Sequence, residues 1–330
     1  MEFINKIILG DCLSGIKQIP DNSVDCCISS PPYWSLRDYG VGGQIGLEED
    51  YQEYIKRLID IYNEVQRVLK PTGTCFVNLG DTYAGSGNGA TKNADTNKYI
   101  EKSKQVYVLP NGTGKAYKFR KTSLNKSLLM IPERFAIEMI NNGWILRNQI
   151  IWHKPNQMPS SAKDRFTVDF EKIFFFVKEP MGYYFEQQFE PYTKPLDRWG
   201  GQIIRGDYKT KTNQFSMQER EGRNMRPNPE GKNMRTVWSI NTKPFSGAHF
   251  AVFPERLVER MIKSGCPEGG IVLDPFMGAG TTAVVAQKLN RNYTGFELNP
   301  TYKQMAEDRL IKEVGLFLHN IGASNEKTIL

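Results

Sequence analysis

Short apolar runs alternate along the chain with longer stretches whose apolar residues recur at helical spacing. The clearest helical stretch covers residues 50–69 and ends at the breaker sequence Lys70-Pro71-Thr72-Gly73. Its predicted apolar face consists of Tyr54, Leu58, Ile61, Val65 and Val68. Further helices are predicted over residues 13–18, 127–140, 255–264 and 300–314, and one after the glycine-rich turn near residue 280. Strands are predicted over residues 6–9, 24–28, 74–79, 144–152, 171–177, 182–185, 237–240, 271–274 and 292–296.

This alternation of strands and helices predicts an α/β fold with a mostly parallel sheet and helices on both faces. In such sheets ligands bind beyond the carboxyl ends of the strands, where the strand order reverses. Two segments have no lasting period of either kind, residues 83–126 and 186–235. Loops of this length in a globular chain are usually functional or disordered, so both are candidates for contact with a partner.

The run over residues 24–28 leads into the tetrapeptide Ser30-Pro31-Pro32-Tyr33. Two consecutive prolines cannot donate ladder hydrogen bonds, so the strand must end before them. A hydroxyl, a carbonyl of fixed direction and an aromatic face therefore stand together at a strand tip. The hydroxyl and the carbonyl can accept the N–H groups of an exocyclic amine, and Tyr33 can stack on a flat base. A plain turn with a packed tyrosine would have the same sequence, so this interpretation depends on a second motif.

That second motif lies far down the chain, where an apolar run ends in Asp274 and a glycine-rich turn leads into a helix. Gly278 and Gly280 allow the backbone to approach a ligand closely. The next apolar run ends in Glu297, at the place where an acid holds a ribose diol in nucleotide-binding α/β units. The turn lacks the Gly-Lys-Ser/Thr of a phosphate-binding loop, so an ATPase-type site is not indicated.

The net charge of +7 is unevenly distributed. Residues 83–127 contain nine Lys and Arg against two Asp and Glu, and residues 191–243 contain eleven against five. Two basic polar segments on an otherwise acidic chain favour a phosphate-backbone partner, although solvated loops could be basic without one.

The composition indicates a reducing compartment and argues against a metal centre. Five cysteines without a CxxC pair, and only three histidines, indicate reduced thiols and no zinc cluster. No run of 18 apolar residues and no signal-like start is present, so we expect a cytoplasmic protein without membrane contact. No metal ion is expected, because the three histidines and the scattered cysteines offer no ligand cluster.

Taken in order, these segments resemble the DNA amino-methyltransferases that use S-adenosylmethionine, specifically the circularly permuted β class with the catalytic motif first. The resemblance covers nearly the whole chain. It implies a Rossmann-like sheet of seven strands, one of them antiparallel, with an inserted target-recognition region. It also implies that Ser30, Pro31, Pro32 and Tyr33 are catalytic, and that Ser at the first position goes with cytosine-N4 methylation. Asp or Asn there usually goes with adenine-N6.

The resemblance further implies a cofactor site. Asp11 matches the acid that accepts from the adenine amine, although it could equally cap the following helix. Phe250 and its neighbours match contacts to the methionine end of the cofactor. The full expected set is Asp11, Cys12, Phe250, Pro254, Asp274, Pro275, Phe276, Gly278, Gly280, Thr281, Thr282, Glu297 and Leu298.

The expected organisation is a catalytic half over residues 1–185 with a basic insertion at 83–126, a target-recognition region over 186–240, and a cofactor-binding half over 241–330. Double-stranded DNA is the expected partner, bound by a monomer or a homodimer. The candidate DNA-binding residues are Trp34, Arg37, Arg198, Arg205, Arg223, Arg226 and Arg235.

Three alternatives stay open at this point. The first is adenine-N6 methylation of DNA, which Ser30 disfavours without excluding it. The second is methylation of RNA or of a protein glutamine, whose enzymes usually carry the cofactor motif first. The third is a DNA-binding module without catalysis, against which the intact tetrapeptide and glycine turn count.

Overall fold

Helices and strands alternate along the chain much as predicted. In the computed structural model, residues 3–84, 126–192, 228–242 and 253–326 are described. The strands are β1 (Lys6–Leu9), β2 (Val24–Ser29), β3 (Leu69–Leu79), β4 (Ile145–His153), β5 (Phe170–Val177), β6 (Phe189–Glu190), β7 (Lys232–Asn233), β8 (Val237–Ser239), β9 (Ile271–Asp274) and β10 (Asn292–Glu297). The helices are α1 (Cys12–Ile16), α2 (Tyr51–Val68), α3 (Ile131–Asn141), α4 (Glu255–Gly265), α5 (Thr281–Lys288) and α6 (Pro300–Glu326).

The main sheet has eight strands in the order β1-β10-β9-β2-β3-β5-β4-β8. β5 runs antiparallel to both of its neighbours, whereas the other pairs are parallel. The α/β class and the single antiparallel strand agree with expectation, but the predicted total of seven strands is wrong. The eighth strand is β8, which pairs with the outer edge of β4 through Val237, Trp238 and Ser239.

Helices cover both faces of this sheet because neighbouring strand residues point to opposite sides. Cys75 and Val77 of β3 belong to the core cluster that also contains the buried residues of α1, α2 and α3. Thr74 points the other way, and its Oγ1 donates to the carbonyl of Gly265 in α4 at 2.8 Å. α4, α5 and α6 pack against one another on that second face.

The central strands are held together by a buried acid as well as by the ladder. Asp25 lies within β2, where its Oδ2 accepts from the backbone N–H of Ile271 at 2.9 Å. Its Oδ1 accepts from Nζ of Lys70 at 2.7 Å. Both carboxylate oxygens are therefore satisfied, and the start of β9 is fixed beside β2.

Some predicted elements and boundaries differ from the structure. α2 ends before Lys70 as predicted, but the strand predicted from residue 74 already begins at Leu69, which pairs with Val24. No strand forms over residues 182–185. The helix predicted from residue 127 begins at Ile131, after Met130 in the left-handed region (φ 56°).

Contacts divide the chain into two units, one of Met1–Glu186 with Thr236–Leu330 and one of Gln187–Arg235. In the smaller unit β6 and β7 form a two-stranded antiparallel ladder. Glu190 there accepts from Nε of Arg235 at 2.5 Å and lies 3.3 Å from Nζ of Lys232. The predicted target-recognition region, 186–240, overlaps this unit, and much of that region and of the 83–126 insertion lies outside the described residues.

Candidate active site

The sheet brings the two sequence motifs to one edge. β2 pairs with β9 through Cys26 opposite Val272 and Cys27 opposite Leu273. Both strands end at the same edge because they are parallel, so the tetrapeptide and the glycine turn are adjacent, as predicted. They line one cavity of about 450 Å³, within the size range of small-molecule sites.

Asp274 organises the glycine turn from the end of β9. Its Oδ2 accepts from Oγ1 of Thr282 at 2.6 Å, and its Oδ1 accepts from the backbone N–H of Phe276 at 3.0 Å. Burial raises the pKa of Asp274 to about 7, against the opposing effect of these two donors, and the charge of Glu297 also raises it. The acid is therefore a structural anchor of the turn, held where water does not reach it.

Gly280 begins α5 in the left-handed region (φ 76°). A Cβ on this residue would lie 2.8 Å from Cβ of Ala306, so α6 can pack here only against glycine. Gly280 is not among the residues that line the cavity, unlike Gly278 and Thr281. Its role in this structure is to shape the turn.

Glu297 ends β10 and faces the glycine turn. Its Oε2 accepts from the backbone N–H of Gly278 at 2.8 Å, and its Oε1 accepts from that of Asn299 at 2.8 Å. Burial raises the pKa of Glu297, and these backbone donors oppose the rise. A carboxylate offers about four lone-pair positions, so two remain for hydroxyl groups of a ligand.

β1 lies next to β10, with Leu9 opposite Glu297, so the segment after β1 reaches the same cavity. Asp11 lines the cavity and also caps α1, its Oδ2 accepting from the backbone N–H of Ser14 at 2.8 Å. Burial raises the pKa of the Cys12 thiol to about 12. Cys12 is therefore a packing residue of the wall without thiolate chemistry.

Among the remaining expected cofactor residues, the following line the cavity: Pro275, Phe276, Thr282 and Leu298. Pro254 is buried at the start of α4 outside the lining, which Phe253 reaches instead. Phe250 lies outside the described residues.

The tetrapeptide forms the other end of the cavity, which we call the base side. The Pro32 carbonyl accepts from the hydroxyl of Tyr54 at 2.8 Å, which holds the turn against α2. The Tyr33 hydroxyl donates to Oε2 of Glu171 at 2.6 Å and accepts from Nδ2 of Asn78 at 2.7 Å. Burial, with the charge of Glu171, raises the pKa of Tyr33 well above its usual range.

Sequence reasoning missed four residues of the base side: Asn78, Trp152, Lys154 and Glu171. Asn78 lies near the end of β3, Trp152 and Lys154 at the end of β4, and Glu171 at the start of β5. Polar side chains at strand ends were the available signal. This signal identifies Glu171 only once β5 is known to run antiparallel, because that direction brings the first residues of β5 to the catalytic edge.

With this geometry in place, the comparison with known families is decisive. Residues 24–308 match the family model described as DNA methylase. The chain belongs to this DNA methylase family. It uses S-adenosylmethionine and acts on DNA.

Relatives agree with the family. The methylase is 38% identical over 311 residues to the Type II methyltransferase M.SmaI of Serratia marcescens, covering 93% of this chain and 91% of that protein. It is 39% identical over 301 residues to M.Cfr9I of Citrobacter freundii, with coverages of 91% and 86%.

The fold is shared with PvuII DNA methyltransferase (cytosine-N4-specific), with a TM-score of 0.57, 18% identity and coverages of 92% and 85%. It is also shared with a DNA modification methylase from Thermus thermophilus in complex with S-adenosyl-L-methionine. That match has a TM-score of 0.56, 23% identity and coverage of 94% of each chain.

The candidate DNA-binding residues of the methylase differ in their surroundings. Trp34 is only 6% exposed, its Nε1 donates to the Glu48 carbonyl at 2.9 Å, and its ring packs edge-on to Tyr51. The DNA contact by Trp34 stays a prediction, and in this structure the indole belongs to the core. Arg235 pairs with Glu190 in the smaller unit. Arg198, Arg205, Arg223 and Arg226 lie outside the described residues.

Arg37 lines the cavity of the methylase. It lies beside Tyr39, where it opposes the rise in the pKa of Tyr39 that burial causes. Nη1 of Arg37 is buried and has no hydrogen-bond acceptor among the described residues. This cation therefore faces the cavity within the described part of the methylase.

Within the described ranges, no group of three or more His, Cys, Asp and Glu side chains could hold a metal ion. No helix in the part of the chain that the structure describes is long and apolar enough to cross a membrane.

Proposed function

We propose that this methylase transfers a methyl group to the exocyclic N4 amine of a flipped cytosine at a specific site in duplex DNA. The observation that carries the proposal is the neutral hydroxyl of Ser30 at the tip of β2, in the wall of the same cavity that Glu297 closes at its other end. In the family that the sequence resembles, Ser at this position goes with cytosine-N4 methylation. Relatives named Type II methyltransferases support a role in a restriction–modification system.

The residues of the cavity fit S-adenosylmethionine, which supplies the methyl group when bound. The free lone pairs of Glu297 suit the two ribose hydroxyls, and the carboxylate of Asp11 suits the adenine amine. Gly278 brings the backbone of the turn to the ligand, and Phe276 offers an apolar contact. The expected cofactor residues that line this cavity are proposed as its binding site.

Ser30, Pro31 and Tyr33 are proposed to handle the base. The cytosine amine is a poor nucleophile because its lone pair is delocalised into the ring. Acceptors at Ser30 Oγ and the Pro31 carbonyl favour a more tetrahedral nitrogen and stabilise its developing positive charge. The cavity holds the amine in line with the methyl group, which supplies much of the rest of the rate enhancement. A stacked base cannot reach this depth, so it must leave the duplex.

The order of the parts supports the circularly permuted β class. The tetrapeptide after β2 precedes the glycine turn after β9 in the chain, although the two strands are neighbours in the sheet. Residues 1–185 are proposed as the catalytic half, 241–330 as the cofactor half, and 186–240 as the region that reads the DNA sequence. The arginine-rich composition of this region suits phosphates and guanine edges.

The test is single-turnover methylation of unmethylated DNA followed by mass analysis of the nucleosides. We expect N4-methyldeoxycytidine from the wild type, and a transfer rate lower by on the order of a hundredfold in Ser30→Ala, because the acceptor acts mainly in the transition state. Ser14→Ala, which changes an exposed serine of α1, is the matched control.

Two outcomes would overturn parts of this proposal. Finding only N6-methyldeoxyadenosine would replace the base assignment and leave the cofactor site standing. Full-rate transfer by Ser30→Ala would remove Ser30 from the mechanism and leave the Pro31 carbonyl as the acceptor.

A further inference from the structure

A carboxylate on the base side gathers hydrogen-bond donors from three other segments. Oε2 of Glu171 accepts from the Tyr33 hydroxyl at 2.6 Å and from Nδ2 of Asn78 at 2.6 Å. Its Oε1 pairs with Nζ of Lys154. The side chains of Glu171 and Lys154 are only 16% and 13% exposed, so this cluster is shielded from bulk water.

The negative charge of Glu171 is balanced by a neighbouring lysine. The ammonium of Lys154 pairs with Glu171 and lies 4.4 Å from the ring centroid of Trp152. A buried carboxylate is tolerated when a cation and further donors satisfy it. Glu171, the second residue of β5, therefore stands in the cavity wall as a paired and hydrogen-bonded carboxylate.

The acid fixes the direction of a chain of hydrogen bonds. An ionised carboxylate can only accept, so Tyr33 must donate its single hydroxyl proton to Glu171. The Tyr33 oxygen is then an acceptor only, and it already accepts from Asn78 at 2.7 Å. Ser30 Oγ lies 3.5 Å from that oxygen, the outer limit of a hydrogen bond, and contacts of this kind tighten in the substrate complex.

This direction matters for Ser30. If Tyr33 could donate toward Ser30, one Ser30 lone pair would be occupied. Because the proton of Tyr33 is committed to Glu171, the Ser30 hydroxyl points its own proton at Tyr33. Both Ser30 lone pairs then remain available to the N–H groups of the target amine.

We propose that Glu171 is a positioning residue, which acts through the Tyr33 hydroxyl to hold Ser30 Oγ as a hydrogen-bond acceptor toward the target amine. The inference rests on the proposed function, in which Ser30 receives the amine. It assigns the Tyr33 hydroxyl a role separate from the stacking by its ring.

Tyr33→Phe is the first test, because it keeps the ring and leaves the pair between Glu171 and Lys154 intact. We expect the single-turnover rate of methyl transfer to fall about tenfold, as for one lost hydrogen bond in the transition state, with unchanged DNA and cofactor affinity. Glu171→Gln should cause a similar loss, because an amide can donate as well as accept.

The double variant separates positioning from general damage. Two residues that act through one chain are not additive, so Tyr33→Phe with Glu171→Gln should be no slower than the slower single variant. The matched control is a second pair of tyrosine and glutamate outside the cavity lining. There the Tyr184 hydroxyl donates to Glu186 over a distance of 2.9 Å. Tyr184→Phe and Glu186→Gln should leave the rate unchanged.

The outcomes distinguish this inference from the function on which it rests. Full-rate transfer by Tyr33→Phe, with N4-methyldeoxycytidine still formed by the wild type, would overturn the inference and spare the function. Additive losses in the double variant would also overturn it. If Glu171→Gln fails to fold because Lys154 loses its partner, Tyr33→Phe decides alone. A wild type that forms only N6-methyldeoxyadenosine would overturn the base assignment, whatever the variants do.

Discussion

A Cβ atom on Gly80 would lie 2.4 Å from Cε2 of Tyr33. The residue after β3 must therefore be small for the tyrosine ring to occupy its place in the cavity wall. We expect Gly80→Ala to displace the ring and to slow methyl transfer by on the order of a hundredfold, as for a misplacement of about 1 Å in an active site. Single-turnover methylation measures this loss, and calorimetry should show unchanged cofactor affinity.

Gly42→Ala is the matched control, because a Cβ on Gly42 meets no atom within 4 Å. Equal rates for the two alanine variants would contradict the proposed contact between Gly80 and Tyr33.

The second prediction concerns Arg37 and the anionic end of the cofactor. Asn299, whose backbone N–H donates to Glu297, also donates from its side chain to the Tyr39 carbonyl at 3.4 Å. The segment that carries Arg37 and Tyr39 therefore contacts the wall of the proposed cofactor site. The buried Nη1 of Arg37 needs an acceptor, and the only carboxylate of S-adenosylmethionine is on its methionine end. We expect Arg37→Met to weaken the binding of the cofactor by about 1.5–3 kcal/mol, measured by calorimetry, as for the loss of a hydrogen bond to a charged group.

The comparison ligand is 5′-methylthioadenosine, which lacks the carboxylate and should bind both proteins equally. Arg147→Met, on an exposed position of β4, should change neither affinity. If Arg37→Met weakens only the binding of DNA, the guanidinium contacts DNA, as predicted from the sequence.

The catalytic edge itself was predictable because each of its two motifs is local. An apolar run followed by Pro31 and Pro32 must end, and an apolar run followed by Gly278 and Gly280 must turn. Both runs are buried strands, so parallel pairing brings their ends together. This reasoning needed no knowledge of which strand lies at the sheet's margin.

The rest of the site depends on long-range pairing that the sequence does not display. Glu171 reaches the cavity only because β5 runs antiparallel between β3 and β4. Trp34 follows the tetrapeptide directly, yet its indole is buried, packs edge-on to Tyr51 and donates to the Glu48 carbonyl. The early start of β3 also depends on a long-range contact, because Leu69 pairs with Val24 of β2 in the sheet.

The third prediction concerns pH and the stability of the protein without ligands. The pKa of Asp274 is raised to about 7 in the folded state, against about 4 in an unfolded chain. Between these values the folded state binds more protons, so the free energy of unfolding should fall as pH rises from about 4 to about 7 and then level off. The raised pKa of Glu297 acts in the same direction.

Chemical denaturation at steps of one unit from about pH 5 to about pH 8 measures this slope, which is at most about 1.4 kcal/mol per pH unit for one group. Asp274→Asn keeps an acceptor for Thr282 and removes the titrating group, so its profile should be flatter. Parallel profiles of the wild type and Asp274→Asn would show that Asp274 does not titrate in this range.

The last prediction concerns Glu297, whose carboxylate has two tasks in this structure. It holds the backbone N–H groups of Gly278 and Asn299, and its remaining lone pairs are proposed to take the ribose hydroxyls. Glu297→Gln keeps the length of the side chain but replaces one acceptor oxygen with a donor. We expect the variant to lose about 2–4 kcal/mol of cofactor affinity in calorimetry, as for a charged hydrogen-bond partner.

A cofactor analogue without the two ribose hydroxyls separates the two tasks of Glu297. If the carboxylate binds the diol, the wild type should prefer S-adenosylmethionine strongly over the analogue, and Glu297→Gln should lose most of that preference. If it serves only to hold the turn at Gly278, the variant should weaken both ligands by the same factor. Equal weakening would therefore reject diol binding, whereas a loss confined to S-adenosylmethionine would leave the turn intact and make the ribose the partner of this acid.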